Sequence, residues 1–326
     1  MKFDELVDWP CIRLKHDPFD AVQYSINRKF NSKDIKIEKY ELGTRSENYV
    51  FKLDGETVIA KKYSDDLNIE KAIELFEFKY SIKNKGARIR GPSPFFSPRN
   101  SFVQMSNGSY LGLLEYIESD QSEKTTLSYF NEVKYLHSIA NASEKYLSLE
   151  SYWCSNLDLL QNDSVVEELL DLFNKIFEGD DIERILLHIL KTKSSELSFC
   201  HGDLHFGNFI RCNRGLAIID FENIRYDILG NEIDLGTILH RRARSLFNCK
   251  SFGRDQLEQF LFVETGLSKS ENVIYLLELA MLESLKKIYS LITAPPRYSK
   301  KDIGKMLHNH KAYCRDNLKM VRLLKS

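Results

Sequence analysis

Two aspartates, each set just after a short apolar stretch, constrain this chain more than any other feature. Asp203 follows Leu197-Ser198-Phe199-Cys200-His201-Gly202, and Asp220 follows Ala217-Ile218-Ile219. Short apolar runs bounded by turn residues read as buried strands, so each aspartate stands where a strand gives way to a loop. The spacing predicts two adjacent strands joined across the turn Asn213-Arg214-Gly215. Between them, Asn208 closes the segment His201-Gly202-Asp203-Leu204-His205-Phe206-Gly207-Asn208, in which Gly202 and Gly207 permit tight backbone. A carboxylate, an amide oxygen and a second carboxylate on neighbouring loops can position a hydroxyl, a metal and a phosphate.

Length and composition leave room for such a site. The chain has 326 residues, 43% hydrophobic and 29% charged, enough for one large domain or two lobes and unlike a disordered segment. The opening MKFDELVDWPCIRLKHD lacks the apolar run of a signal peptide, and no stretch approaches the roughly 18 apolar residues of a membrane span. Six scattered cysteines without C-x-x-C spacing suggest neither zinc nor a disulfide framework. The expectation is a cytoplasmic protein with reduced thiols. There is no specific nucleic-acid motif, and nothing in the sequence specifies an oligomeric state.

The net charge of −1 conceals an asymmetry, because residues 236–326 carry 17 Lys/Arg against 8 Asp/Glu. That segment includes the run His240-Arg241-Arg242-Ala243-Arg244. An excess of this kind attracts anionic partners, unless it is only a set of solvated helix faces.

Along the chain, the first third reads as strands. Ile35 and Ile37 alternate with Lys36 and Glu38; Tyr49, Phe51 and Leu53 alternate with Val50 and Lys52; and Asp54-Gly55 is a hairpin turn returning through Thr57–Tyr63. A helix is predicted over 68–85 and stopped by Gly86. Two short strands around Phe102–Met105 and Tyr110–Tyr116 turn at Asn107-Gly108. From Glu118 onward the pattern is helical. Leu127, Phe130, Val133, Leu136 and Ile139 form one stripe, Ser164 to Glu167 forms a capping box, another helix is predicted over 182–190, and Pro295-Pro296 is a break. The expected organisation is α+β and bilobal. A small β-rich lobe with one main helix spans residues 1–116, of which 1–30 is a helical or irregular extension. A larger, mostly helical lobe spans 117–326.

In protein kinases the same order of residues supplies a catalytic base, a metal-binding amide and the principal metal-binding carboxylate. Asp203 would receive or orient the hydroxyl proton. Asn208 and Asp220 would hold Mg²⁺, which prefers hard oxygen ligands and retains several waters. Lys61, after Val58-Ile59-Ala60, matches the strand lysine that reaches the α- and β-phosphates. Its helix partner would be Glu77, with Glu74 as the alternative, since the two are three residues apart. Ser46, in Leu42-Gly43-Thr44-Arg45-Ser46-Glu47-Asn48-Tyr49, occupies the position of a phosphate-covering loop. Glu115 and Ile117, where the last strand leaves the small lobe, could pair their backbone with adenine.

These residues resemble the aminoglycoside phosphotransferase and choline kinase branch of the protein-kinase-like fold. HGDLHFGNFI is similar to that family's HGDLHPGN motif, with Phe206 in place of the usual proline. Ile219-Asp220-Phe221-Glu222 is similar to its Ile-Asp-Trp/Phe-Glu. Tyr135-Leu136-His137 resembles the family's Leu-His, and Asn231-Glu232-Ile233-Asp234-Leu235 its acidic helix start, where Asp234 serves structure. The resemblance spans about residues 40–240 and assigns His201 and His205 to backbone and packing duties.

The resemblance implies an enzyme, a phosphotransferase using ATP (or GTP) and Mg²⁺ to phosphorylate an alcohol group on a small molecule. The basic C-terminal segment favours an anionic or neutral acceptor such as a sugar, nucleoside, sugar-phosphate or acidic glycan, and a singly charged amino alcohol also ranks ahead of a polycationic aminoglycoside. Two alternatives stand beside it. One is a protein or toxin-type kinase acting on Ser, Thr or Tyr hydroxyls, which the lack of an Ala-Pro-Glu element after Asp220 disfavours. The other is a catalytically silent nucleotide-binding module. His308 and His310, two residues apart, do not share a helix face and are not expected to bind metal.

Overall fold

The computed structural model describes residues 18–32, 34–42, 47–62, 69–84, 93–105, 107–119, 129–140, 163–176, 197–212, 215–247, 253–267, 270–293 and 300–326. The loop carrying Ser46, the helix expected over 182–190, the first 17 residues and the Pro295-Pro296 break lie outside them. The chain divides into two compact units. One comprises Met1–Glu123 with Ile210–Ile219, and the other Lys124–Phe209 with Asp220–Ser326.

The first unit is built on a five-stranded antiparallel sheet ordered β1-β2-β3-β5-β4. The strands are β1 (Ile37–Leu42), β2 (Glu47–Leu53), β3 (Glu56–Lys62), β4 (Phe102–Gln104) and β5 (Tyr110–Glu115). Asp54 and Gly55 turn β2 into β3 with φ of 50° and 85°, which these two residue types tolerate. Tyr49 then faces Ala60, and Phe51 faces Val58.

The sheet is covered on both faces. Helix α1 (Pro18–Lys29) lays Val22 and Ile26 against Phe51, Val58, Ala60 and Leu113, all fully buried. Helix α2 (Ile69–Asn84) lays Ala72, Ile73 and Phe76 against Phe102, Leu114 and Ile59. Each such large apolar side chain contributes about 1.5–3 kcal/mol. The extension before residue 30 thus supplies a second helix to this unit, tied down by the Lys29 ammonium donating to the Phe102 carbonyl at 3.2 Å.

The second unit holds helices α3 (Tyr129–Ala140), α4 (Asp163–Ile176), α5 (Gly230–Phe247), α6 (Arg254–Thr265), α7 (Ser270–Thr293) and α8 (Lys300–Lys325). Its core gathers Leu279, Leu282, Leu285 and Ile288 of α7 with Leu169 of α4 and Leu318 of α8. Helices α5 and α7 cross closely at Gly236, where an added Cβ would stand 2.1 Å from the Leu276 carbonyl oxygen. Helix α4 begins at Asp163, so Ser164 stands inside its first turn rather than at its cap. Among the described residues, no helix is long and apolar enough to cross a membrane.

One strand pairing departs from expectation. Strand β6 (Leu197–Cys200), which leads to Asp203, pairs antiparallel with β9 (Arg225–Ile228), with Cys200 opposite Arg225. Strand β8 (Gly215–Ile218), which leads to Asp220, pairs with β7 (Phe209–Cys212). The two aspartate-bearing strands are therefore not neighbours. A hairpin partner lies at hand for β8. Strand β9 escapes sequence reading because its Arg225 and Asp227 are buried against each other.

Candidate active site

The Asp203 loop takes its shape from Asp234 in the first turns of α5. The Asp234 carboxylate accepts the His201 amide at 2.6 Å, the Gly202 amide at 3.1 Å and His137 Nε2 at 2.9 Å. All of these groups are buried, so this ionised acceptor holds two consecutive backbone N–H groups in a dry setting. Burial pushes the Asp234 carboxyl up, but His137 and His201 outweigh it and hold the group below its ordinary value. The Leu-His and acidic helix-start segments of the sequence thus meet at one carboxylate.

Gly202 has φ +77°, and a Cβ there would meet Arg225 Nη1 and the Asn223 carbonyl oxygen at 2.6 Å each. Only glycine fits the left-handed backbone and this close approach. The His201 ring, fully buried, packs on the Phe221 ring with centroids 4.9 Å apart, which ties the Asp203 loop to the Asp220 turn. Both observations accord with a packing role for His201.

Asp203 then emerges half-buried, with 31% of its side chain exposed. Asn208 is buried, donates its amide NH₂ to the Asp203 carbonyl at 2.8 Å, and its backbone N–H bonds to the His205 carbonyl. Because Nδ2 is committed in this way, Oδ1 is the atom of Asn208 available to a cation. Asp220 is left-handed at φ 65° and ψ 55° and half-buried, heading the single turn Phe221–Asn223. Aspartate tolerates this region, and non-glycine residues held there cluster at functional sites. The His205 imidazole, pushed below its usual value first by burial, feels the charges of both Asp203 and Asp220. The donor set of Asn208 and Asp220 suits a hard cation, whose remaining ligands would be phosphate and water oxygens.

Two lysines on α7 were not singled out from the sequence. Lys287 Nζ donates to the Gly202 carbonyl at 2.9 Å and lies 3.7 Å from Asp203 Oδ1. Burial works to raise the Asp203 carboxyl, while Lys287, then His205, Arg241 and His201 overcome it and leave the group below its ordinary value. Lys286, fully buried, lies 2.9 Å from Glu283 Oε2 and 3.8 Å from Asp227 Oδ2. Arg225 completes the network, reaching Asp227 at 3.1 Å and Glu283 at 2.9 Å. The signal for these residues was an apolar helix, since charges on a helix apolar around most of its surface must face the interior.

In the first unit, Lys61 sits one residue before the end of β3, opposite Asn48 and Gly112. Side chains alternate along a strand, so Lys61 shares the face of Ile59, which α2 covers. Glu77 and Glu74 are both half-buried on that helix. Lys62 alternates to the other face and lies 3.9 Å from Glu47. Glu115 ends β5, its N–H bonded to the Ser93 carbonyl, and Ile117 follows outside the ladder. Ser46 lies outside the described residues.

Residues 113–261, a little under half of the chain, match the phosphotransferase enzyme family. No curated protein matches the chain. A thermostable mutant of aminoglycoside phosphotransferase APH(4)-Ia, in ternary complex with AMP-PNP and hygromycin B, is similar at TM-score 0.57 and 12% identity over 92% of this chain and 98% of that one. The aminoglycoside phosphotransferase from Alicyclobacillus acidocaldarius gives 0.53 and 13% over 96% and 97%. A microcompartment-associated aminopropanol kinase gives 0.52 and 13% over 93% and 98%. These folds bear out the α+β kinase-like architecture, and the family match over residues 113–261 agrees with the resemblance to the phosphotransferase branch.

Proposed function

We propose that this protein transfers the γ-phosphoryl group of ATP, with Mg²⁺, to a hydroxyl of a small molecule, with Asp203 as the residue that accepts the acceptor's proton. The observation that carries this reading is the loop built around Asp203. Asp234 fixes its amides, Asn208 closes it through the Asp203 carbonyl, and His201 packs it on the Asp220 turn. Positioning of this kind is most of what phosphoryl transfer asks of a protein, because its transition state is loose.

Asp203, held ionised by Lys287, accepts a hydrogen bond from the acceptor hydroxyl and orients its oxygen. A carboxylate below its ordinary pKa is a weak base, which suits proton transfer late in the step. Asn208 Oδ1 and the Asp220 carboxylate would hold Mg²⁺, which when bound neutralises phosphate charge. Lys61 would orient the α- and β-phosphates with Glu77, Ser46 would cover them, and the backbone at Glu115 and Ile117 would pair with adenine.

A small molecule is favoured over a protein acceptor by the chain after Asp220. One turn, the four residues of β9 and then α5 at Gly230 leave no activation segment. Among the similar structures, one is a complex with hygromycin B and another is an aminopropanol kinase, both pairing this fold with a small molecule. A sugar, nucleoside, amino alcohol or glycan is proposed ahead of a polycationic aminoglycoside. Labelled ATP, with labelled GTP in parallel, offered with a metabolite panel and with Ser/Thr/Tyr peptides, tests this. Label transfer confined to peptides would overturn it.

A further inference from the structure

The basic run on α5 resolves into three different environments. Arg242 bonds to Glu264, and Arg244 lies 2.6 Å from Asp316 while stacking on the Tyr313 ring at 4.4 Å. Arg241 stacks on the same ring at 5.2 Å and, among the described residues, makes no ion pair. It follows Asp234 by seven residues, two helical turns along the same face of α5, and Asp234 is the carboxylate that holds the Asp203 loop.

A second side chain reaches this place from α8. Helices α7 and α8 run antiparallel, since Glu278 meets Lys325 and the Met281 carbonyl meets Cys314. Continuing that register by about two turns brings Lys287, and with it Asp203, level with His310. The His310 ring is 5.9 Å from Tyr313, and its Nδ1 is buried without a hydrogen-bond partner. A buried polar atom of this kind has hydrogen-bonding capacity that the surrounding side chains do not use.

The electrostatics agree with this placement. Burial, then Lys287 and Arg241, push His310 down to about 3, so the ring is neutral and its Nδ1 is free to carry a donated proton. Glu264, Asp316 and Glu283 each pair with an arginine or lysine, and Asp203 pairs with Lys287, so among the described residues the Arg241 charge is matched by no carboxylate in an ion pair. An incoming acceptor therefore meets excess positive charge beside the group that activates it.

We propose that the acceptor carries an anionic group, a phosphate or a carboxylate, which pairs with the Arg241 guanidinium and accepts a hydrogen bond from His310, so that its hydroxyl is presented to Asp203. The proposal rests on the reading of Asp203 as the proton acceptor of a small-molecule kinase, and it names the class of acceptor.

The test uses the full-length protein saturated with AMP-PNP and Mg²⁺, titrated calorimetrically with inorganic phosphate, with acetate and with kanamycin. Binding of phosphate or acetate, weakened at least tenfold in Arg241→Gln and less so in Arg241→Lys, is expected, with kanamycin the weakest ligand; whichever anion binds identifies the group. Equal binding to wild type and Arg241→Gln, no binding of either anion, or tighter binding of kanamycin overturns the proposal. Parallel ATP turnover by Asp220→Asn separates the two levels. If that variant is inactive while the anion arms fail, the acceptor class alone is wrong. If it turns over ATP like wild type, the underlying reading has failed.

Discussion

Lys287 Nζ lies 3.7 Å from Asp203 Oδ1 while donating a 2.9 Å hydrogen bond to the neighbouring Gly202 carbonyl. One buried ammonium thus fixes both the charge and the backbone of the proposed proton acceptor. Removing it as Lys287→Met, which leaves Asp203 itself in place, is expected to lower kcat by about 10–100-fold, less than the roughly 100–10,000-fold of a whole general-base contribution. The sign of the pH effect follows from the charge. Without Lys287 the ionised form of Asp203 is less favoured, its pKa rises, and the acidic limb of the kcat/KM profile moves to higher pH. A purely structural role would lower activity equally across the profile.

Asp234 supports the same loop from below. Asp234→Asn keeps the shape but removes the charge that receives two amides and His137, and should cost about 3 kcal/mol. The Asp234 pKa is depressed in the fold. Its stabilising contribution is therefore present above the ordinary aspartate value and lost as pH falls through the depressed one. Urea unfolding of the variant at neutral pH, and again near pH 3, should show the difference shrinking with acid.

How much of this was legible beforehand differs by residue. Asp203, Asn208 and Asp220 could be found because turn residues and apolar runs mark where strands end, and that signal is local. The Asp54-Gly55 and Asn107-Gly108 turns were legible for the same reason. The β6–β9 pairing was not, because Arg225 and Asp227 make β9 look like a surface segment until Glu283 and Lys286, nearly 60 residues on, neutralise them. His137 and Asp234 stood out separately, yet their contact spans 97 residues and no spacing rule joins them. Lys287 was hidden in the same way. Long-range electrostatic pairing is a property of the packed helices, and periodicity records only which face of each is apolar.

Gly202 is a sharper probe of the backbone than of the chemistry. Gly202→Ala must place a Cβ 2.6 Å from both Arg225 Nη1 and the Asn223 carbonyl, at φ +77°. A loss of more than about 2 kcal/mol is expected in thermal or urea unfolding, with activity falling alongside. A variant as stable as wild type would contradict the described loop.

Buried His240, bonded through Nδ1 to Asn317, is held at about 4, chiefly by burial. A histidine depressed in the fold contributes stability that is full above its unfolded value near 6.5 and lost as pH falls toward 4. The loss over that window is on the order of 3 kcal/mol from this group alone. Wild-type stability should fall across pH 6.5 to 4, and His240→Gln should show a shallower fall. Parallel curves would exclude His240 as the source.

The most direct measurement is transfer of label from γ-labelled ATP to the best acceptor of a metabolite panel, with and without Mg²⁺, by wild type, Asp203→Asn, Asn208→Ala and Asp220→Asn. The wild type should transfer label only with the metal, and Asp203→Asn and Asp220→Asn should lose at least about 1,000-fold, with Asn208→Ala falling between. Asp203→Asn and Asp220→Asn both retaining wild-type transfer would contradict the assignment of this loop and turn as the site of phosphoryl transfer.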